Sequence, residues 1–101
     1  MIPQGFAEHF AREWAAAWNS HDLERVLEHY EDDFEMSSPI IWAKALKALP
    51  GLRFELLAAL AGTESVTVYY RGHRGLAAEV LHFGPGGKVR AAFAHYAEWS
   101  A

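Results

Sequence analysis

The chain has 101 residues, the usual size of one domain and too short for two. Its 51% hydrophobic and 22% charged composition is that of a folded protein rather than a disordered one, and 14% aromatic residues supply large side chains for an interior. A net charge of −4 without a basic run argues against a nucleic-acid partner, no apolar run reaches the ~20 residues of a membrane span, and the absence of cysteine removes disulfides, thiol nucleophiles and thiolate metal sites together. Met1-Ile2-Pro3-Gln4-Gly5 lacks the basic start and apolar core of a signal peptide, so a cytoplasmic protein is expected.

Phe6, Phe10, Trp14 and Trp18 recur every fourth residue and make one apolar helical stripe, with Glu8, Arg12 and Glu13 away from it. Pro3 suits the start of this helix and Asn19-Ser20 its end. Leu23, Val26, Leu27 and Tyr30 follow i, i+3, i+4, i+7 in a short second helix, which Ser20 or Asp22 can cap. The acids Glu31-Asp32-Asp33 then break the pattern as a solvated turn. Residues 34–38 alternate and predict a first strand, ended by Pro39. A third helix carries Trp42, Ala45, Leu46 and Leu49, with Lys44 and Lys47 toward water, and Pro50-Gly51 stops it.

The remainder is strand-like. Runs at 52–57, 65–71, 76–83 and 88–96 are rich in β-formers and separated by short turns, of which Gly72-His73-Arg74-Gly75 and Gly84-Pro85-Gly86-Gly87 are the clearest. Four consecutive strands of this kind predict an antiparallel meander. Helices first and strands after is the α+β order, here one domain over residues 1–101.

Ala17-Trp18-Asn19-Ser20-His21-Asp22-Leu23-Glu24 joins the first two helices, and the run Tyr30-Glu31-Asp32-Asp33-Phe34-Glu35-Met36-Ser37-Ser38-Pro39 leads into the first strand. With Gly86-Gly87-Lys88-Val89 and the closing Ala94-His95-Tyr96, these segments resemble the NTF2-like superfamily and, within it, the SnoaL-like proteins. The resemblance implies a cone of three helices packed on a curved antiparallel sheet, closed around an apolar pocket, with the sheet's outer face often making a homodimer. It says little of function, because this fold hosts isomerases, cyclases, dehydratases, epoxide hydrolases and non-catalytic binding domains. Similar members carry a further stretch, with a glycine-rich turn and a short strand, before the third helix. Here Ile40-Ile41 runs straight into Trp42-Ala43-Lys44. Either the chain is naturally short or a loop belongs between residues 41 and 42; the second is the expectation, and such a loop would act as a lid.

Glu79 is the leading candidate for chemistry. Alternation puts it on one strand face with Leu81 and Phe83, and Ala78, Val80 and His82 on the other. An acid in that apolar setting has a raised pKa and can donate a proton or hold a developing oxyanion, unless it is a structural glutamate paired with an arginine or a tyrosine hydroxyl. His95 and Tyr96 lie on opposite faces of the last strand. The small neighbours Ala92 and Ala94 favour Tyr96 inside as the assisting group; His95, with a reference pKa of about 6.5, suits proton transfer but fits a sheet surface or dimer contact better. Trp14, Trp18, Tyr30, Met36, Trp42, Phe54 and Tyr69 are candidate pocket walls, together with Ser38 and Leu81; singly, each reads as plain core.

Ketosteroid isomerases share the resemblance and sharpen the reading. Their base aspartate corresponds to Ser38, their helix-borne tyrosine to Trp14, and their protonated strand aspartate to Glu79. Only the last keeps an acid, so steroid-type isomerisation is not expected. Six scattered histidines form no i, i+4 ligand pair with a nearby glutamate, and His21 and His29 read as exposed, so neither a metal nor another cofactor is expected. No glycine loop precedes a helix to cradle phosphate, and no serine sits in a nucleophile elbow. Three functions follow: an acid–base isomerase or cyclase acting on an apolar substrate, a non-catalytic binder of a hydrophobic metabolite, or a dimerising scaffold with a vestigial pocket.

Overall fold

The computed structural model describes residues 1–34, 39–73 and 75–97. Helices α1 (Gln4–Ser20), α2 (Leu23–Leu27) and α3 (Pro39–Ala48) precede strands β1 (Glu55–Ala61), β2 (Ser65–Gly72), β3 (Gly75–Phe83) and β4 (Val89–Tyr96). The strands form one antiparallel sheet in the order β1-β2-β3-β4. α1 lies over β1 and β2, α2 packs against α1, and α3 against α2. This is the expected α+β architecture. No helix of the described residues is long and apolar enough to cross a membrane.

α1 is amphipathic as its spacing predicts. Ala7, Phe10, Ala11, Trp14, Ala15 and Ala17 are buried, and the alanines let the helix backbone approach the sheet closely. Phe6, at the end of the stripe, stays partly exposed. The helix stops where His21 adopts a left-handed backbone, φ 60°, and returns its N–H to the Trp18 carbonyl. Asp22 caps α2 by accepting from the backbone N–H groups of Glu24 and Arg25, while the Ser20 hydroxyl closes α1 on the Ala17 carbonyl.

α2 is shorter than its apolar spacing suggests. Beyond Leu27 the chain turns, and the backbone at 29–31 pairs in parallel with β4: Val89 N–H donates to the His29 carbonyl and Glu31 N–H to the Val89 carbonyl, both at 2.8 Å. Tyr30 is thereby delivered to the interior. His21 and His29, read as exposed, are instead half-buried. The His21 Nε2 lies 2.8 Å from the Leu52 carbonyl, and the His29 ring meets Phe10 edge-on. Burial lowers the His29 pKa, against the pull of Glu13 and Glu28. The expected strand at 34–38 lies outside the described residues except for Phe34. α3 runs without a break through Ile41 and Trp42; Leu46 is buried, Lys44 and Lys47 face water as predicted, but Ala45 and Leu49 are exposed too.

β1 begins at Glu55, not Leu52, because the preceding backbone is already satisfied. His21 takes the Leu52 carbonyl, and Asn19 takes both polar groups of Phe54. On the sheet's inner face stand Leu56, Ala59 and Ala61 of β1, Val66, Val68 and Tyr70 of β2, Ala77, Glu79 and Leu81 of β3, and Ala92 and Tyr96 of β4. A bulge between His82 and Phe83 opposite Arg90 shifts the alternation of β4, so Val89 joins the core although simple alternation groups it with His95. The outer face carries Leu60, Tyr69 and Phe93, all exposed.

Candidate active site

Glu79 sits in the middle of β3, between Val68 of β2 and Ala94 of β4, and period-two alternation turns it inward with Leu81. Burial pushes its carboxyl from 4.5 up to about 7, only partly opposed by a hydrogen bond that favours the carboxylate. That bond comes from the Tyr70 hydroxyl, 3.4 Å from Glu79 Oε2, a long contact. Tyr70 lies diagonally across the β2–β3 ladder on the same face, since its direct partner is Ala77. Tyr96 is opposite Ala77 on the other side, so tyrosines flank the acid from both neighbouring strands. Burial, then the Glu79 charge, then Tyr96 raise the Tyr70 pKa well above its ordinary value, so Tyr70 acts as a donor and not as an anion.

The helices supply an aromatic wall opposite the sheet. Trp14, 1% exposed, stacks on Phe54 with ring centroids 5.4 Å apart and meets Tyr70 edge-on at 5.2 Å. Its indole N–H donates to the Tyr30 hydroxyl at 3.1 Å. Burial and the Glu79 charge raise the Tyr30 pKa, against the two indole groups of Trp14 and Trp18. The Trp18 Nε1 is buried near the same hydroxyl, close enough to favour its ionised form but outside good hydrogen-bonding geometry, and it has no hydrogen-bond partner among the described residues. Trp42 closes the wall, 5.1 Å from Trp18 and 5.0 Å from Tyr30.

Among the residues expected from the sequence, Glu79, Tyr96, Trp14, Trp18, Tyr30, Trp42, Phe54 and Leu81 meet at this inner face. Tyr69 does not. It points to the outer face, 37% exposed, because Val66, Val68 and Tyr70 take the inner positions of β2. His95 likewise stands exposed on the outer face opposite Ala78, so it is not brought to Glu79. Met36 and Ser38 lie outside the described residues. Sequence reasoning missed Tyr70, although the alternation of β2 carried the signal, and it missed Asn19, whose role depends on a residue far along the chain.

Chemically, the cluster offers one acid that exists in both protonation states near neutrality, among hydroxyl and indole donors and apolar rings. No three His, Asp or Glu side chains among the described residues converge on a point where a metal could sit. A cavity of about 490 Å³ elsewhere, at Ile2, Phe6, Phe83 and Arg90, is lined by exposed Glu64 and Arg90 and lacks a buried acid. The chemistry therefore points to Glu79 and not to that hollow.

A family model described as the SnoaL-like domain matches residues 11–99. Among solved structures, a SnoaL-like protein of unknown function from Burkholderia thailandensis is 47% identical, with a TM-score of 0.88 over 96% of this chain and 98% of its own. AclR from Streptomyces galilaeus, a proposed hydroxylase, is 21% identical with a TM-score of 0.77, over 93% of this chain and 76% of its own. A proposed isomerase of the SnoaL-like family from Agrobacterium tumefaciens is 16% identical with a TM-score of 0.70, over 87% and 94%. The last two similarities are of fold alone. Comparison with curated proteins finds no match.

Proposed function

The chain belongs to the SnoaL-like domain family, and from that premise we propose that it is an acid–base enzyme of isomerase or cyclase type acting on an apolar small molecule. The observation that carries this reading is Glu79, a carboxyl pushed to about 7 on the inner face of the sheet, beneath an aromatic wall. A base of that strength is half ionised at neutral pH, which balances proton capture against proton return. The carboxylate takes a proton from a carbon beside a carbonyl, and the electron pair passes into the carbonyl as an enolate. The resulting acid returns the proton to the same or a conjugated carbon, so no oxidant is consumed. Tyr70 and Tyr96 orient the carboxyl and fill the flanks. Neighbours of the same fold described as a proposed isomerase and a proposed hydroxylase are compatible with small-molecule chemistry.

The test is hydrogen exchange into a panel of apolar ketones, 2-tetralone first, followed by ¹H NMR in D₂O. The wild type accelerates loss of the α-proton signal, and Glu79→Gln abolishes the acceleration while leaving affinity nearly unchanged. Exchange that survives Glu79→Gln rejects Glu79 as the proton carrier. Binding without exchange by either protein would leave a non-catalytic binder of apolar metabolites as the function. The exposed Leu57, Leu60, Tyr69 and Phe93 on the outer face of the sheet support pairing of two copies there.

A further inference from the structure

Two hydrogen-bond donors in the aromatic wall have no acceptor among the described residues. The Trp18 Nε1 is fully buried with no partner among the described residues, although buried polar atoms nearly always have one. The Tyr30 hydroxyl, on a residue 3% exposed, accepts from Trp14 at 3.1 Å, and no described residue accepts its own proton. Since Trp18 Nε1 lies near that hydroxyl, the two free donors belong to one small region. The rings of Trp42, Phe54 and Phe34 surround it, so bulk water is a poor competitor. Glu79 is close enough for its charge to be felt at Tyr30.

We propose that the Tyr30 hydroxyl and the Trp18 indole N–H together form a seat for one ligand oxygen, that of an apolar ketone, enol or phenol. This rests on the reading of the inner face as a small-molecule site and names the ligand's polar group. Trp14 acts on Tyr30 as a positioning residue. By donating to the phenolic oxygen it turns the Tyr30 proton away from itself and makes that proton a stronger donor. Neither donor carries a charge, so the seat favours an oxygen that gains negative charge over a carboxylate that already has it and must be desolvated. A ligand without an oxygen leaves both donors unpaired, which is how a site of this kind selects oxygenated over plain aromatics.

The experiment compares 2-naphthol with naphthalene as probes, by fluorescence titration of the full chain. Wild type is expected to bind 2-naphthol about tenfold tighter than naphthalene, the ratio two net hydrogen bonds provide. Trp18→Phe and Tyr30→Phe each lower that ratio roughly threefold, with naphthalene affinity unchanged. Equal binding of both probes by wild type overturns the oxygen seat and leaves the apolar pocket standing. Failure of both to bind overturns the pocket and this inference with it. Where a variant does not fold, the wild-type indole resonances decide. The Trp18 ¹⁵N–¹H signal must move downfield with 2-naphthol and not with naphthalene, and a signal that stays in place rejects the seat.

Discussion

Asn19, in the last turn of α1, holds the backbone of Phe54 with both ends of its amide: Nδ2 donates to the Phe54 carbonyl at 3.0 Å, and Oδ1 accepts the Phe54 N–H at 2.6 Å. The pair imitates one rung of a β-ladder between a helix end and the entry to β1. It sets Phe54 against Trp14 and Trp18, and so builds one side of the candidate site. Asn19→Ala leaves two partly buried backbone groups unpaired. The expected loss is roughly 2 kcal/mol, read as a fall in Tm of about 10 °C. An unchanged Tm would mean that the clamp is replaced by water at no cost.

Glu79 makes stability depend on pH with a definite sign. Its folded pKa is raised, so the folded protein keeps a proton that the unfolded chain gives up above 4.5. The contribution is fully present below about 4.5 and is lost as pH rises to about 7. The rise from 4.5 to about 7 corresponds to at most about 3 kcal/mol, because the residue keeps some contact with water. Wild type should therefore lose Tm between pH 5 and pH 8 relative to Glu79→Gln, by thermal scans at both values. Parallel pH profiles for the two proteins contradict the assignment.

Tyr70 donates to Glu79, and a donor stabilises the carboxylate. Removing it with Tyr70→Phe should push the Glu79 carboxyl above about 7, a direction measurable by ¹³C NMR titration of the side-chain carbon. A downward movement would show that Tyr70 acts on Glu79 chiefly by displacing water.

Gly84 lies directly against the Glu31 carboxylate, so a Cβ at this position would overlap its oxygen. Because that carboxylate is the end of a flexible side chain that can swing aside, Gly84→Ala should cost less than about 1 kcal/mol, and the cost should largely vanish in a Glu31→Ala background. Chemical denaturation of the four proteins in this cycle gives the coupling. Additive losses would place the strain in the turn itself.

Leu60 and Phe93 are 57% and 55% exposed on the outer face of the sheet, on β1 and β4. If two copies pair through that face, Leu60→Lys or Phe93→Lys should turn a dimer into a monomer in sedimentation at micromolar concentration, without lowering the affinity for an apolar probe. A wild-type monomer under the same conditions removes the dimer altogether.

Patterns that repeat over a few residues were legible from the chain alone. The 3.6-residue stripe of Phe10 and Trp14 located α1, and the turn residues at 84–87 separated β3 from β4. Alternation along β3 puts Glu79 on one face with Leu81, the face that turns inward. These features depend on local backbone geometry, which neighbouring residues dictate. Tyr69, expected as a pocket wall, lies outside because the same alternation gives the inner positions of β2 to Val66, Val68 and Tyr70.

What the tertiary structure alone decided are the contacts between elements. Asn19 reaches Phe54 across 35 positions, Trp14 reaches Tyr30 across 16, and Tyr70 meets Glu79 only because of the β2–β3 register. The Arg90 bulge, which restores Val89 to the core, follows from how β4 joins β3 and the parallel segment at 29–31, not from its own residues. The sequence by itself determined which side chains are apolar enough to be inside and that one acid is among them. Which donor meets that acid, and which donors are left free, depends on ångström-scale placement of helices against the sheet, because a hydrogen bond fails within a few tenths of an ångström while hydrophobic burial tolerates more.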